Sequence, residues 1–233
     1  MQTLAKLAVG LGLAVASWTG SAMAREAWTV VSMDGRVMIS ENKIFRTLRP
    51  GGSVAVGKWL KTDTGARITL RRGGSTISLE PRTLVAVAGL EGDPEATVFA
   101  QRWGASKLDI EKRERPHFRI KTPYLAAVVK GPTLSVTADR VQSTIRVDKG
   151  WVAMTDEARG LACEAWTGVS VSSGLGRRRP MRAWGEGRWT KPVKTTAYTP
   201  WLAPLARKRP VGPDTIDPSG TTIVAPASEG YAG

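Results

Sequence analysis

Apolar and polar residues alternate strictly through most of the chain, and a helical period is sustained nowhere for long. Trp28-Thr-Val-Val-Ser, Asp34-Gly35 and Arg36-Val-Met-Ile-Ser read as a hairpin, because Asp-Gly tolerates the positive φ of a tight two-residue turn. Gly51 and Gly52 punctuate the chain before Ser53-Val-Ala-Val. From Leu60 to Ala88, Ile68 and Leu70 alternate with Arg67, Thr69 and Arg71. Gly73-Gly74 turn the chain, Ile77 and Leu79 alternate with Thr76 and Ser78, and Pro81 ends that strand before Leu84-Val-Ala-Val. Residues 89–94 read as a loop. "KLDIE" from Lys107 and "HFRIK" from His117 are further alternating strands around a charged turn at 112–116. "KTPYLAAVVKGPTLSVTAD" from Lys121 is an apolar strand, a tight turn on Lys130-Gly131-Pro132 and an alternating strand. Val169-Ser-Val-Ser is the last clear strand.

The pattern also repeats loosely. Leu60-Lys61-Thr62 resembles Ile120-Lys121-Thr122, "GSTISL" from Gly74 resembles "GPTLSV" from Gly131, and "STISLE" from Ser75 resembles "STIRVD" from Ser143. Chance recurrence of a short β pattern and a real duplication both account for this. Duplication implies similar hairpins stacked on one another, each burying its apolar face on the next. The expected fold is all-β: stacked hairpins forming either a β-solenoid-like stack or a twisted β-sandwich.

Past Gly174 the character changes. Residues 177–204 are basic with Trp184, Trp189 and Trp201 interspersed, and 205–233 is rich in Pro, Gly and Thr with little apolar bulk. That last stretch is expected to be largely disordered, since it cannot bury enough surface to offset chain entropy. The chain has 34 Lys and Arg against 20 Asp and Glu, a formal net charge of +14. Ten of the basic residues fall between Arg177 and Arg209, where Glu186 is the only acid. An anionic partner would therefore feel the tail first.

The N-terminus reads as a secretory signal: Lys6, the apolar run Leu7 to Ala16, and Ala22-Met23-Ala24 as an A-x-A cleavage site. The apolar run is shorter than the ~20 residues a spanning helix needs. The expected division is 1–24 signal peptide, 25–176 β domain, 177–204 basic Trp-containing segment and 205–233 tail, with the exported chain in the periplasm. Cys163 is the only cysteine, so no internal disulfide forms and packing must hold the fold.

Little in the sequence supports an enzyme. His117, beside Arg115 and Pro116, is expected at the surface, and one histidine with one cysteine makes neither a catalytic dyad nor a zinc set. Asp109 and Glu111 share a strand face but are flanked by Lys107 and Lys112, as solvated acids are. Gly73-Gly74 beside Arg71-Arg72 runs strand–turn–strand with no helix N-terminus behind it, so a hairpin turn explains it better than a phosphate loop. No cofactor is expected.

"IKTPYLAAVVKGPTLSVTAD" followed by "STIRVDKGWVAM" resembles the FecR domain family, whose pattern is V-x-T-P-x-(x)-x-A-x-V-R-G-T-x-F-x-V and then V-x-x-G-x-V-x-V. The upstream "GKWLKTDTGARITLRRGGSTISLEPRTLVAVA" resembles the same family's first motif, and the likeness spans roughly Trp28 to Ser172. The chain departs from the pattern at the turn: Arg-Gly-Thr is Lys130-Gly131-Pro132, and the following Phe is Leu134. Pro132 fixes φ and lacks a donor, so the turn cannot keep every hydrogen bond of the family's own. The resemblance implies a signalling or binding role. Well-known members span the inner membrane and restrain a sigma factor with a cytoplasmic head. This chain has the signal segment where that head would stand, and so resembles an exported, free-standing FecR domain.

The resulting expectation is a binding or scaffolding module that meets an envelope protein through strand edges and loops. The candidate contact residues are Lys130 and Thr133 at the family turn, Arg71 and Arg72 at the earlier turn, and Arg177, Arg178, Arg179, Trp184 and Trp189 in the tail. The other reading gives the tail an anionic cell-wall glycan or lipid surface, with indoles stacking on sugar faces. In a third, the tryptophans only pack a final hairpin. Export argues against nucleic acid as the partner.

Overall fold

A computed structural model describes residues 27–42, 44–90 and 93–195. The segments assigned above to the signal peptide and to the 205–233 tail lie outside the described residues, as does Trp201. All the described regular structure is β-strand, and it forms two layers. The front sheet runs in the order β4 (Ser53–Val54), β1 (Trp28–Asp34), β6 (Arg67–Arg72), β7 (Ser75–Leu79), the last part of β9 (Asp93–Asp109), β12 (Thr133–Ala138), β13 (Gln142–Lys149), β16 (Val169–Gly174) and β17 (Arg182–Gly185). The back sheet runs β3 (Ile44–Thr47), β2 (Val37–Glu41), β5 (Lys58–Thr62), β8 (Leu84–Leu90), the first part of β9, β10 (Phe118–Lys121), β11 (Ala126–Val129), β14 (Trp151–Asp156), β15 (Leu161–Trp166) and β18 (Val193–Lys194). Pairing is antiparallel except between β9 and β10.

The two layers close over one core. Trp28, Leu70, Ile77, Leu108, Val136, Ile145 and Val171 of the front sheet join Leu60, Val85, Phe99, Phe118, Ile120, Val129 and Met154 of the back sheet in a single buried cluster. The result is all-β, as the alternation predicts, and of the two stackings left open by the sequence it is the β-sandwich, made of hairpins that alternate between layers as the chain proceeds. The repeat has a structural basis: "GSTISL" and "GPTLSV" lie on opposite sides of β9 in the same register. Thr76 and Thr133 both face Asp109, Ile77 and Leu134 both face Leu108, and Ser78 and Ser135 both face Lys107.

Strand β9 crosses from one layer to the other. Gly104 sits at the bend with φ +97°, and a Cβ there would fall 2.4 Å from Thr83 Cα, so only glycine fits. Buried Gln101 braces the bend, donating to the Gly104 carbonyl at 2.8 Å and the Val136 carbonyl at 3.2 Å while its own oxygen accepts from Ser106 Oγ at 2.5 Å.

Two expected turns prove to be corners between layers. Asp34-Gly35 does not close a hairpin: β1 pairs with β6 and β4, whereas β2 pairs with β3 and β5. Gly35 has φ +70° and packs onto Ala66, which leaves no room for a direct β1–β2 ladder. Lys130-Gly131-Pro132 likewise carries the chain from β11 in the back sheet to β12 in the front sheet. Of residues 89–94, read above as loop, 89–90 end strand β8 and 93–94 open strand β9, with 91–92 outside the described residues. His117, expected at the surface, is buried, and its carbonyl accepts the Thr97 N–H that starts the parallel β9–β10 contact.

Candidate partner-binding surfaces

At the Lys130-Gly131-Pro132 turn the backbone is crowded. A Cβ on Gly131 would lie 2.5 Å from Gly150 Cα, and one on Gly150 would lie 2.3 Å from Gly131 Cα, so two corners touch backbone to backbone. Pro132 keeps its acceptor role, taking the Ile110 N–H. Lys130 donates its N–H to the Trp151 carbonyl, and its ammonium stands 4.4 Å from the Trp151 ring centre. Trp151 is paired across the strands with Trp166, their ring centres 6.0 Å apart, and the Arg188 guanidinium covers Trp166 at 4.7 Å. Lys130 is thus the first member of a ladder of cations and indoles running Lys130, Trp151, Trp166, Arg188 across the back sheet, each contact a cation–π or aromatic one. Thr133 lies on the other layer and reaches Asp109 Oδ1 at 3.4 Å.

The earlier turn splits its two arginines. Arg71 is exposed on the outer face of the front sheet. Arg72 turns the other way: its guanidinium lies 4.9 Å from the Trp28 ring centre and donates to Thr97 Oγ1. It lids the end of the core. Arg71 and Thr133 share the outer face of the front sheet with Thr76 and Asp109 between them, while Arg72 and Lys130 face elsewhere. The four residues therefore do not converge on one site.

The basic segment joins the body up to residue 195. Arg177, Arg178 and Arg179 sit exposed in the loop after β16. The chain then adds β17 to the front sheet, burying Met181, and returns along the back sheet edge. There Trp166 N–H donates to the Arg188 carbonyl at 3.0 Å, Thr190 and Glu164 exchange bonds at 2.9 and 2.8 Å, and Thr195 N–H donates to Gly160 at 2.9 Å. Trp184 lies in β17 and Trp189 bridges to Ala165 outside any strand, yet the two residues remain 47% and 40% exposed. Backbone packing and an available aromatic face coexist in both.

The opposite end has open edges too. Among the described residues β3 is hydrogen-bonded to β2 alone, and its Ile44 is 61% exposed. Beyond the β4 contact, the outer edge of β1 from Val31 to Asp34 faces no strand among the described residues, and Val31 is 47% exposed at a bulge. Pattern reading missed both, because an apolar residue on an edge looks like any core position. Unpaired strand edges bearing apolar side chains are templates for a further strand.

Two side chains with chemical potential are shifted toward their neutral forms. Burial pushes the Cys163 thiol up to about 12, with the Glu164 carboxylate adding to the shift. Burial, then Arg113, holds His117 below the ordinary imidazole value of 6.5. Among the described residues no three His, Cys, Asp or Glu side chains group as a metal site would require, and no helix is long and apolar enough to cross a membrane.

Residues 59–153 match the family model described as FecR protein. The match starts in β5 and ends in β14, so β1 to β4 and β15 to β18 extend the sheets beyond it. No curated protein matches the chain. Two crystal structures of a candidate anti-sigma factor from Parabacteroides distasonis are similar, at 13% and 12% identity and TM-scores of 0.47 and 0.46. Each alignment covers 55% of this chain and 60% of that protein, so this chain spans less than two thirds of it.

Proposed function

We propose that this chain, which carries a FecR domain over residues 59–153, is a non-enzymatic regulatory or scaffolding module that binds an envelope protein outside the cytoplasm. The family is one of signalling proteins, which supports regulation through protein contacts. The N-terminal Lys6, the apolar Leu7 to Ala16 and Ala22-Met23-Ala24 support export to the periplasm.

The observation that carries the reading is a pair of open edges bearing apolar side chains, Ile44 on β3 and Val31 at the end of β1; among the described residues β17 and β18 are the outer strands at the other end, each paired on one side only. A partner strand added to β3 would gain main-chain hydrogen bonds along Ile44–Thr47 and bury Ile44. Arg46, exposed on the same strand, is already paired with Glu41 at 3.8 Å. The test is site-specific photo-crosslinking in intact cells, with the probe at Ile44, at Val31 or at Thr29 on the sheet face. One envelope protein captured at Ile44, and lost when Phe45→Pro removes a donor from the β3 edge, supports the reading. Capture that is equal at all three positions, or unchanged by Phe45→Pro, overturns it.

A further inference from the structure

Far from those edges, the outer face of the front sheet ends in a cleft that strand addition does not use. It lies between the β12–β13 turn and the loop after β16, has a volume of about 220 Å³, and is lined by Thr137, Ala138, Asp139, Gln142, Thr144 and Arg179. Thr137 and Thr144 are direct cross-strand partners. They face outward because their neighbours Val136 and Ile145 are fully buried in the core. The floor is therefore a pair of hydroxyls, each able to donate and to accept. Gln142 directs its amide nitrogen to Thr144 Oγ1 at 3.3 Å, and its amide oxygen accepts from Arg179 at 3.0 Å.

Arg179 supplies the charge. Its side-chain bond goes to a neutral amide rather than to a carboxylate. Asp139 is the only acid in the lining, and its Oδ1 accepts the N–H groups of Val141 and Gln142, both at 2.7 Å, which builds it into the turn. Arg140 in that turn, Arg177 and Arg178 in the facing loop and Arg182 on β17 are all exposed around the cleft. The local field favours an anion.

The same row continues across the sheet. Thr144 pairs with Ser172, and Ser172 pairs with Arg182. At about 4.8 Å per strand, Thr137 to Arg182 spans about 14 Å, the reach of a short oligosaccharide. Two residues further along β17, Trp184 presents its half-exposed indole. Hydroxyls and an amide that match sugar hydroxyls, a guanidinium that matches a carboxylate, and an indole that matches the apolar face of a ring occur together here. Ala138 is the only apolar lining residue, so a protein's apolar anchor has nothing to fill. Successive bases would need a series of stacking platforms, and the cleft has none.

We propose that this cleft binds an acidic carbohydrate: Arg179 holds a carboxylate, Gln142, Thr137 and Thr144 hold ring hydroxyls, and Trp184 supports a neighbouring ring. This is independent of the strand-edge reading, which concerns the other end of the molecule. The test is calorimetry of the full chain with trigalacturonate, its methyl ester, and vesicles of phosphatidylglycerol. Trigalacturonate should bind and its ester should bind at least about tenfold more weakly, as expected for loss of one charge-assisted hydrogen bond. Arg179→Met and the double change Gln142→Ala with Thr144→Val should each cost about tenfold. Arg178→Met, the same charge change outside the lining, should cost less than about twofold, and unchanged thermal unfolding of each variant certifies its fold. The inference fails if trigalacturonate does not bind, if its ester binds equally, or if Arg178→Met and Arg179→Met cost the same. It fails too if vesicles bind and the cleft variants bind them as wild type does, which would mark a lipid-facing charge patch in place of a glycan site.

Discussion

Replacing Arg159 should loosen the C-terminal third of the sandwich. Arg159 lies in the β14–β15 turn, and Asp156, only 1% exposed, ends β14. The guanidinium donates to Asp156 Oδ2 at 2.5 Å and to Ser173 Oγ at 3.1 Å, and its other terminal nitrogen donates to the carbonyls of Gly174 and Gly176, both at 2.6 Å. Ser173 in turn donates to Asp156 Oδ2 at 2.5 Å, and the Arg159 N–H donates to Asp156 Oδ1 at 3.1 Å. One side chain thus ties a back-sheet turn to the end of front-sheet strand β16. Arg159→Ala leaves a buried carboxylate with Ser173 and one backbone donor. Removing one partner of a buried ion pair costs about 3–5 kcal/mol. The Arg159 side chain is 25% exposed, so water can enter behind it and the lower end, about 3 kcal/mol, is expected. Urea unfolding followed by tryptophan fluorescence reads this as a lower midpoint at constant slope. Asp156→Leu with Arg159→Met should recover much of the loss, since no charge is then stranded. A loss below about 1 kcal/mol for Arg159→Ala, or one that vanishes in high salt, would show an ordinary surface pair and refute the clamp.

Three more outcomes are expected. Gly104→Ala should destabilise by about 2–6 kcal/mol, from backbone strain and the clash with Thr83, as measured by urea unfolding. His117 has a lowered folded pKa, so the unfolded chain binds the extra proton: its stabilisation is full above about pH 6.5 and is lost as pH falls through the folded value. His117→Asn should flatten the difference in unfolding free energy between pH 7.5 and pH 5.5, both pH values being about one unit from the ordinary pKa. Cys163, 4% exposed and with its thiol near 12, should resist a thiol reagent at neutral pH until the protein is unfolded in denaturant.

The strands were legible because a sandwich buries one face of most of them, and period-two alternation reports that burial directly. Their partners were less so. Asp34-Gly35 and Gly73-Gly74 carry similar local turn chemistry, yet the second closes a hairpin and the first turns a corner. The difference lies in Ala66 and in β6, which are distant in sequence. Only the end of strand β9, from Lys107, reads as a strand, for a different reason. Phe99 points into the core from the back sheet and Leu108 from the front sheet, an odd and an even position, so the alternation reverses phase where Gly104 bends the strand. The candidate residues show the same limit. Arg72 and Lys130 are cations at turns, and only the fold reveals that Trp28 and Trp151 stand beneath them. Ile44 and Val31 carry no signal of exposure, because the sequence does not record which strand edges stay unpaired.

The basic segment is where sequence and structure jointly alter what an experiment must do. Composition changes at Gly174, which invites a truncation at Gly176 to separate body from tail. The sheets continue past that point: Met181 is buried, β17 covers β16, and residues 188–194 cover β15. A chain ending at Gly176 would lose Met181 from the core, at a cost of about 2–5 kcal/mol if the site behaves as a Met→Ala change, and would bare two strand edges suited to aggregation. A chain ending at Thr195 keeps all of these contacts and still removes Arg207, Lys208 and Arg209. It should unfold at the same urea midpoint as the full chain, while the Gly176 version unfolds earlier and self-associates in sedimentation. Equal midpoints for the two truncations would mean that β17 and β18 contribute nothing to the fold. If the expected difference is seen, any binding lost at Gly176 but kept at Thr195 belongs to the closed sheet ends, with Trp184, Trp189 and the arginines of the loop, rather than to the residues beyond.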